Sequence, residues 1–163
     1  MNSLPLTELL DWTAVVAEEV RAGQHDVHAD PDDRWHVRLL RDERIDIWLI
    51  SWTTEQATQM HDHDGSTGAY TVVTGELSEA SWDPISGRVV EQTVSAGDAV
   101  GFGCSYVHDV RNVRAETAVS VHAYSPPLTH MNFYDMVDGQ LTTLAKVWTD
   151  DPEVATPGLR AAS

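Results

Sequence analysis

The pair His61 and His63 limits what this chain can fold into more than any other feature of the sequence. Side chains alternate between the two faces of a β-strand, so two histidines separated by one residue project their imidazoles to the same side. Imidazole is a common metal ligand, and the spacing therefore predicts a metal site on a strand. Gly68 follows His63 after four residues, and Gly75 follows Gly68 after six. The alternative interpretation is a surface strand with two histidines and no metal.

A second group of small and polar residues lies around His108. Five residues separate Gly97 from Gly103, which is followed by Ser105, His108 and Asn112. One such set arises by chance more easily than two, so the second set favours the metal interpretation of the first. We expect His108 to lie on a strand that faces the strand of the first two histidines across a barrel.

Both sets resemble the two motifs of the cupin proteins, whose fold is a double-stranded β-helix, or jelly-roll barrel. The first cupin motif has a glutamate where this chain has Gly68, so the resemblance implies an all-histidine metal site of His61, His63 and His108. Three neutral imidazoles suit ferrous iron, zinc, copper or nickel, and the ligand type does not choose among them. The missing carboxylate predicts a site with more than one open coordination position.

Charge and composition limit the class of protein and its partners. The 163 residues, 42% of them hydrophobic, suffice for one domain with a core. A net charge of −16 repels phosphate backbones and anionic lipids, so we expect no nucleic-acid or membrane partner. The single cysteine, Cys104, excludes an internal disulfide framework and a cysteine-based zinc site. We expect a cytoplasmic protein without a signal peptide. We also expect it to be monomeric or weakly homo-oligomeric.

Periodicity predicts an all-β domain with one N-terminal helical segment. Residues 3–22 carry apolar side chains at three- and four-residue spacing, as on one face of a helix. Short alternating segments separated by turns follow over residues 34–137 and predict a barrel of strands. Among them we expect a hairpin around Gly75.

The last part of the chain, residues 138–163, is predicted to be a C-terminal extension of the same domain. Its segment 141–148 is expected to be a strand that pairs with its predecessor. The polar residues 150–163 are expected to form a loose tail.

Polar side chains alternate along the segment that begins at Ala118. Ser120, His122 and Tyr124 lie two residues apart, so a strand directs all three to one face. Such a row forms a hydrogen-bonded relay if that face lines the barrel interior. The alternative is the solvent-exposed face of an edge strand.

Three segments are similar to the cysteine dioxygenase family of cupin thiol dioxygenases. They are HDHDGSTGAYTVVTGELSE from His61, HDVRN from His108 and AVSVHAYSPPL from Ala118. The resemblance extends over residues 38–134, and YSPP after the S-x-H-x-Y row is its most specific part. It implies ferrous iron as the cofactor and a catalytic relay beside it. The implied iron ligands are His61, His63 and His108, and the implied catalytic residues are Ser120, His122 and Tyr124.

The same resemblance implies how a substrate is held. Arg38 aligns with the arginine that binds the substrate carboxylate, with help from Tyr124, and Met131 is placed near the pocket mouth. Relatives that prefer 3-mercaptopropionate tend to carry glutamine at the position of Arg38. The implied function is therefore oxidation of L-cysteine by O2 to cysteine sulfinic acid. The alternatives are a 3-mercaptopropionate dioxygenase and a cupin that binds a metal or senses a small molecule without turnover.

Two positions depart from the animal members of the family. Gly68 stands where they carry a cysteine that forms a thioether with the tyrosine matching Tyr124, so this chain cannot form that crosslink. His36 stands where they carry a tyrosine, two residues before the arginine. The first departure is similar to the bacterial branch of the family and implies activity without the crosslink.

Overall fold

The computed structural model describes residues 3–152, and within that range it contains one helix and eleven strands. The helix, α1, spans Leu6–Arg21, within the predicted residues 3–22. No helix in residues 3–152 is long and apolar enough to cross a membrane. The strands are β1 (His36–Arg41), β2 (Asp46–Trp52), β3 (His61–Asp62), β4 (Thr67–Thr74), β5 (Glu76–Asp83), β6 (Arg88–Ser95), β7 (Ala99–Phe102), β8 (His108–Arg111), β9 (Ala118–Ser125), β10 (His130–Val137) and β11 (Gln140–Trp148).

The strands form two antiparallel sheets. One has the order β1-β2-β9-β4-β7, and the other has the order β11-β10-β3-β8-β5-β6. Neighbouring strands in each sheet are mostly distant in sequence, as expected when the chain repeatedly crosses from one sheet to the other. This arrangement confirms the predicted all-β class with an N-terminal helix.

The five-stranded sheet separates two layers of apolar side chains. On its outer face, Val121 and Ala123 of β9 pack in one cluster with Leu9, Val16 and Ala17 of α1. The helix therefore forms because its apolar stripe covers this face, and each fully buried aliphatic side chain contributes roughly 1.5–3 kcal/mol to stability.

The inner face of the same sheet carries mainly aromatic side chains. Trp48, Trp52, Tyr70, Phe102 and Tyr124 belong to one buried cluster between the sheets. Large rings fill the barrel, so polar groups on the inner face are enclosed as well.

The predicted hairpin around Gly75 is wrong. Strand β4 belongs to the five-stranded sheet and β5 to the six-stranded sheet, so the chain changes sheets at this glycine. Gly75 has φ +76°, and a Cβ there would lie 2.8 Å from the Cα of Ala118. The crossover therefore requires glycine for both conformation and space. The next two strands, β5 and β6, form a hairpin instead, and its turn connects Asp83 to Arg88.

The expected strand over residues 141–148 is confirmed, because β11 pairs along the whole of β10. The expectation of a loose tail from residue 150 is wrong for its first three residues. Asp150 and Asp151 make side-chain hydrogen bonds, and Pro152 is buried. The remainder of the predicted tail, 153–163, lies outside the described residues.

Candidate active site

Three buried histidines form the centre of the site. His61 of β3 is the register partner of His108 of β8, and His63 follows at the end of β3. One nitrogen of each ring lies within 4.8 Å of the others. The two strands are therefore hydrogen-bonded neighbours in one sheet, and the prediction that His108 faces the first pair across the barrel is wrong. Direct strand pairing brings the rings together more closely than packing across a barrel.

The turn after His61 is fixed by the carboxylate of Asp62. This carboxylate accepts hydrogen bonds from the Tyr134 hydroxyl at 2.6 Å and from Asn132 Nδ2 at 2.8 Å, both on the neighbouring β10. It also accepts the backbone N–H of Asp64 at 3.0 Å. Gly65, with φ +96°, completes the turn. The aspartate between the two histidines thus orients both by tying their loop to the sheet.

The protonation and bonding of these histidines fit a divalent metal. Burial lowers the pKa of His61 and of His63 well below the usual value, so both rings are neutral and can donate a lone pair. His61 Nδ1 bonds to the carbonyl of Gln59 at 2.5 Å, which leaves its Nε2 for a metal. His63 Nδ1 is buried and has no hydrogen-bond partner in the described part of the chain. A metal ion in this cluster would give the rings the partners that the protein does not supply.

The sequence interpretation missed Glu79, which holds the third histidine. Its fully buried carboxylate accepts hydrogen bonds from His108 Nδ1 at 2.9 Å, Tyr70 Oη at 2.9 Å, Tyr106 Oη at 2.8 Å and Gln92 Nε2 at 2.8 Å. Burial alone would raise the pKa of Glu79, but these bonds outweigh it and lower the pKa to about 2. The carboxylate therefore stays charged, fixes the Nδ1–H tautomer of His108 and leaves Nε2 for the metal.

The predicted polar row on β9 faces the barrel interior. Strand β9 lies between β2 and β4, so the edge-strand alternative is wrong. Trp52 Nε1 donates to Ser120 Oγ at 2.9 Å, and Ser120 Oγ shares a hydrogen bond with His122 Nε2 at 2.8 Å. Burial lowers the pKa of His122 to about 3, so this ring is neutral. The ring of Tyr124 lies 4.8 Å from that of His63, which joins the row to the histidine cluster.

Arg38 belongs to the same interior face. It pairs with Trp48 across β1 and β2, and Trp48 pairs with His122 across β2 and β9. Register partners share a face of the sheet, so Arg38, Trp48 and His122 lie in one row on that face. The row spans two strand spacings, which is about 10 Å between the backbones of Arg38 and His122. The guanidinium lies 4.6 Å from the centre of the Trp48 ring. The structure thus places a permanent cation on the wall that carries the polar row.

Comparison with known proteins decides the family. The family model described as cysteine dioxygenase type I matches residues 17–137, which include the histidine cluster, the polar row and Arg38. The chain belongs to this family. Cysteine dioxygenase type 1 of Homo sapiens is 25% identical over 183 residues, covering 97% of this chain and 89% of the human protein. The Danio rerio protein of the same name is 25% identical over 161 residues, covering 85% of this chain and 80% of its own length.

Solved structures agree with the cupin double-stranded β-helix fold. A Thermus thermophilus protein has a TM-score of 0.54 at 23% identity, covering 61% of this chain and 90% of its own. A Klebsiella pneumoniae protein described as having a double-stranded β-helix domain has a TM-score of 0.54 at 18% identity, covering 61% and 78%. Oxalate oxidase in complex with glycolate has a TM-score of 0.52 at 15% identity, covering 62% and 55%. At these identities the likeness establishes the fold.

Gly68 marks a difference from the crosslinked members of the cysteine dioxygenase family. A Cβ at this position would lie 2.4 Å from the Phe102 ring and 3.2 Å from the ring of Tyr124. Phe102 also stacks on His63, with ring centres 5.1 Å apart. The Phe102 ring therefore fills the space of the missing glutamate or cysteine side chain. The prediction that the absence of a carboxylate at Gly68 leaves more than one coordination position open stays a prediction.

A space beside the histidines is lined in part by Tyr124. A small cavity there is lined by Ile50, Trp52, Thr58, His61, His108, Val110, His122, Tyr124 and Pro152. Met131 does not line this cavity. It packs with Leu128, Phe133 and Val147, and the ring centre of Phe133 lies 6.1 Å from that of His61.

Proposed function

We propose that this protein is a ferrous-iron dioxygenase that converts L-cysteine and O2 to cysteine sulfinic acid. Both oxygen atoms of O2 enter the product sulfinate, so no external reductant is required. The observation that supports this proposal best is the combination of three buried histidines on the six-stranded sheet with a cation, Arg38, on the interior face of the five-stranded sheet. The cluster suits a metal and the cation suits a carboxylate, which together select a small carboxylated thiol.

Iron bound to His61, His63 and His108 would supply the oxygen chemistry and would lower the pKa of the substrate thiol. Arg38 would hold the substrate carboxylate by a charge-assisted hydrogen bond and so fix the position of the sulfur. The Tyr124 hydroxyl would donate a hydrogen bond to the substrate. Ser120 and the neutral His122, bonded at 2.8 Å, would keep the neighbouring wall rigid.

Oxygen uptake by the ferrous-loaded protein tests the proposal. L-cysteine, 3-mercaptopropionate and cysteamine are offered in turn, and the products are identified by mass spectrometry. We expect the highest kcat/KM with L-cysteine and a product heavier by two oxygen atoms. Much better turnover of 3-mercaptopropionate would move the assignment to that substrate. Bound iron without oxygen uptake from any of the three thiols would favour a non-catalytic metal-binding or sensing cupin.

Arg38→Ala tests the carboxylate site separately. The loss of a charge-assisted bond predicts a rise of about 10- to 100-fold in KM for L-cysteine, with iron content unchanged. Arg114→Ala is the matched control, because Arg114 pairs with Glu76 at an exposed position away from the site. Unchanged cysteine kinetics in Arg38→Ala would show that another residue binds the carboxylate.

A further inference from the structure

Residues 149–152 lead from β11 to the cavity beside the histidine cluster, and we call them the C-terminal strap. Its first residue continues the β10–β11 pairing, because the Thr149 N–H donates to the carbonyl of Thr129 at 2.9 Å. The Thr149 hydroxyl accepts the N–H of Asp151 at 2.9 Å, which turns the chain back towards the barrel. Pro152 is then buried in the wall of the cavity that His61 and His108 line.

Two acidic side chains attach the strap to β1. Asp150 accepts two hydrogen bonds from Arg38 Nη2, at 3.0 Å to its carboxylate and at 2.7 Å to its backbone carbonyl. The same carboxylate lies 3.6 Å from Arg41 Nη1. Asp151 bonds to His36 Nε2 at 3.0 Å. A carboxylate of the protein itself therefore lies on the guanidinium to which the proposed function assigns the substrate carboxylate.

We propose that Asp150 is a built-in competitor for the substrate carboxylate at Arg38, and so sets the affinity for small carboxylated thiols. This inference rests on the proposed role of Arg38. Two carboxylates on one guanidinium repel each other, so the carboxylate of Asp150 weakens the binding of a substrate carboxylate to Arg38. The Asp150 side chain is 62% exposed, so water solvates it readily once it is released.

The strength of this competition follows from the exposure of the ion pair. Exposed pairs of this kind correspond to about 2- to 5-fold in an equilibrium constant. The substrate therefore displaces Asp150 without a large loss of affinity, and removing the competing charge improves binding by about that factor.

A binding experiment on the metal-free protein tests the competition without any turnover. Sodium propionate is titrated into the wild type and into Asp150→Asn, and the Arg38 side-chain signals are followed by NMR. We expect the Kd for propionate to fall about 2- to 5-fold in Asp150→Asn and in Asp150→Ala, while uncharged 1-propanol gives no saturable shift. Asp151→Asn is the matched control, since it removes a charge from the same strap but leaves the Arg38 pair intact.

Equal propionate affinity in the wild type and both Asp150 variants would overturn the proposal. An equal gain in Asp151→Asn would also overturn it, because the effect would then belong to the anchoring of the strap and not to the carboxylate on Arg38. With iron and L-cysteine, Asp150→Asn should lower KM by the same factor at unchanged kcat. Absence of turnover with every thiol would contradict the proposed function, while the propionate result would still decide the competition.

Discussion

Two buried carboxylates in this barrel, Glu79 and Asp46, have opposite pKa shifts. Both side chains are excluded from solvent, and burial alone raises the pKa of each. Four hydrogen-bond donors surround Glu79, and its pKa falls to about 2. Burial is the largest influence on Asp46; Arg41 at 3.4 Å, Trp48 and Leu128 offset it only in part, and its pKa rises to about 6. The balance between burial and the surrounding donors therefore decides the sign of the shift.

The two carboxylates lie at different ends of the site. Glu79 supports His108 from behind, so its constant charge serves the metal end. Asp46 is the register partner of Tyr124, and Arg41 connects it to Asp150 of the strap. The Glu79 carboxylate at the metal end therefore keeps its charge. At the other end, which we call the mouth, Arg38 and Arg41 form ion pairs with the exposed Asp150, and Asp46 titrates in a mildly acidic range.

The largest effect is expected from His108→Ala. This change removes a proposed metal ligand and also leaves the charged Glu79 with one donor fewer in a dry environment. We expect loss of stoichiometric iron binding, measured by metal analysis after loading and gel filtration.

His122→Ala is the control for that experiment, because His122 bonds to Ser120 and lies outside the cluster of three histidines. It should retain iron. Full iron binding by His108→Ala would show that a different residue is the third ligand.

Glu79→Gln is expected to weaken the metal site without removing a ligand. The amide keeps the size of the side chain but loses its charge, and it presents an NH2 group to at least one of the donors that the carboxylate accepts. Loss of such a supporting group typically costs 10- to 100-fold in metal affinity, so we expect a decrease of about that size. A chelator competition measures the affinity, and the ligand-field or EPR spectrum of a cobalt-substituted sample should change as well.

Glu76→Gln on the same strand is the matched control, because Glu76 forms a surface pair with Arg114. If Glu79→Gln and Glu76→Gln bind metal as tightly as the wild type, the hydrogen bond to His108 does not support the metal.

The contrast between the two carboxylates also shows what the sequence reveals. The period of a strand places His61 and His63 on one side, while His108 was added to them through the resemblance to the second cupin motif. Glu79 was missed, although it is in phase with the buried Leu77, because the next residues of that row, Ser81 and Asp83, are polar and suggest a solvent-exposed face. The four donors of Glu79 come from four different segments, so no local sequence pattern predicts them.

The mouth was harder to predict, for a physical reason. Arg38 and Asp150 are 112 residues apart, and an exposed ion pair leaves no periodicity in either segment. The sheet change at Gly75 was missed because a tight turn and a crossover use the same residue type. Alternation therefore predicts which face a side chain takes, while pairing between distant segments remains hidden in a single sequence.

Gly68→Ala tests how tightly the metal end is packed. Its Cβ would lie 2.4 Å from the buried Phe102 ring, which stacks on His63 and has little room to move. We expect a loss of about 1–3 kcal/mol in the free energy of unfolding, measured by urea denaturation. Gly103→Ala is the matched control, since a Cβ there meets no atom within 4 Å. Equal stability of the two variants would mean that the Phe102 ring moves freely.

Asp46→Asn tests the mouth carboxylate and should have the smallest effect, of the opposite sign. The folded pKa of Asp46, about 6, lies above the ordinary value of 3.8, so the folded state binds a proton more readily than the unfolded chain. The resulting decrease in the free energy of unfolding is absent below about pH 4, grows as the pH rises through 6 and amounts to at most about 3 kcal/mol. Part of the gain in Asp46→Asn is offset by the lost pair with Arg41, which leaves about 1–2 kcal/mol of stabilisation at pH 7.5.

The pH dependence separates this explanation from a simple packing effect. The stability advantage of Asp46→Asn over the wild type should be present at pH 7.5 and shrink towards zero near pH 4.5. Asp83→Asn should behave in the opposite way, because hydrogen bonds from Ser86 and Ile85 lower the pKa of Asp83, and the stability they give is lost as the pH falls. Asp83→Asn should therefore be destabilising at pH 7.5 and approach the wild type in acid. A pH-independent difference for Asp46→Asn would mean that Asp46 has the same pKa in the folded and unfolded chains, which would remove the contrast with Glu79.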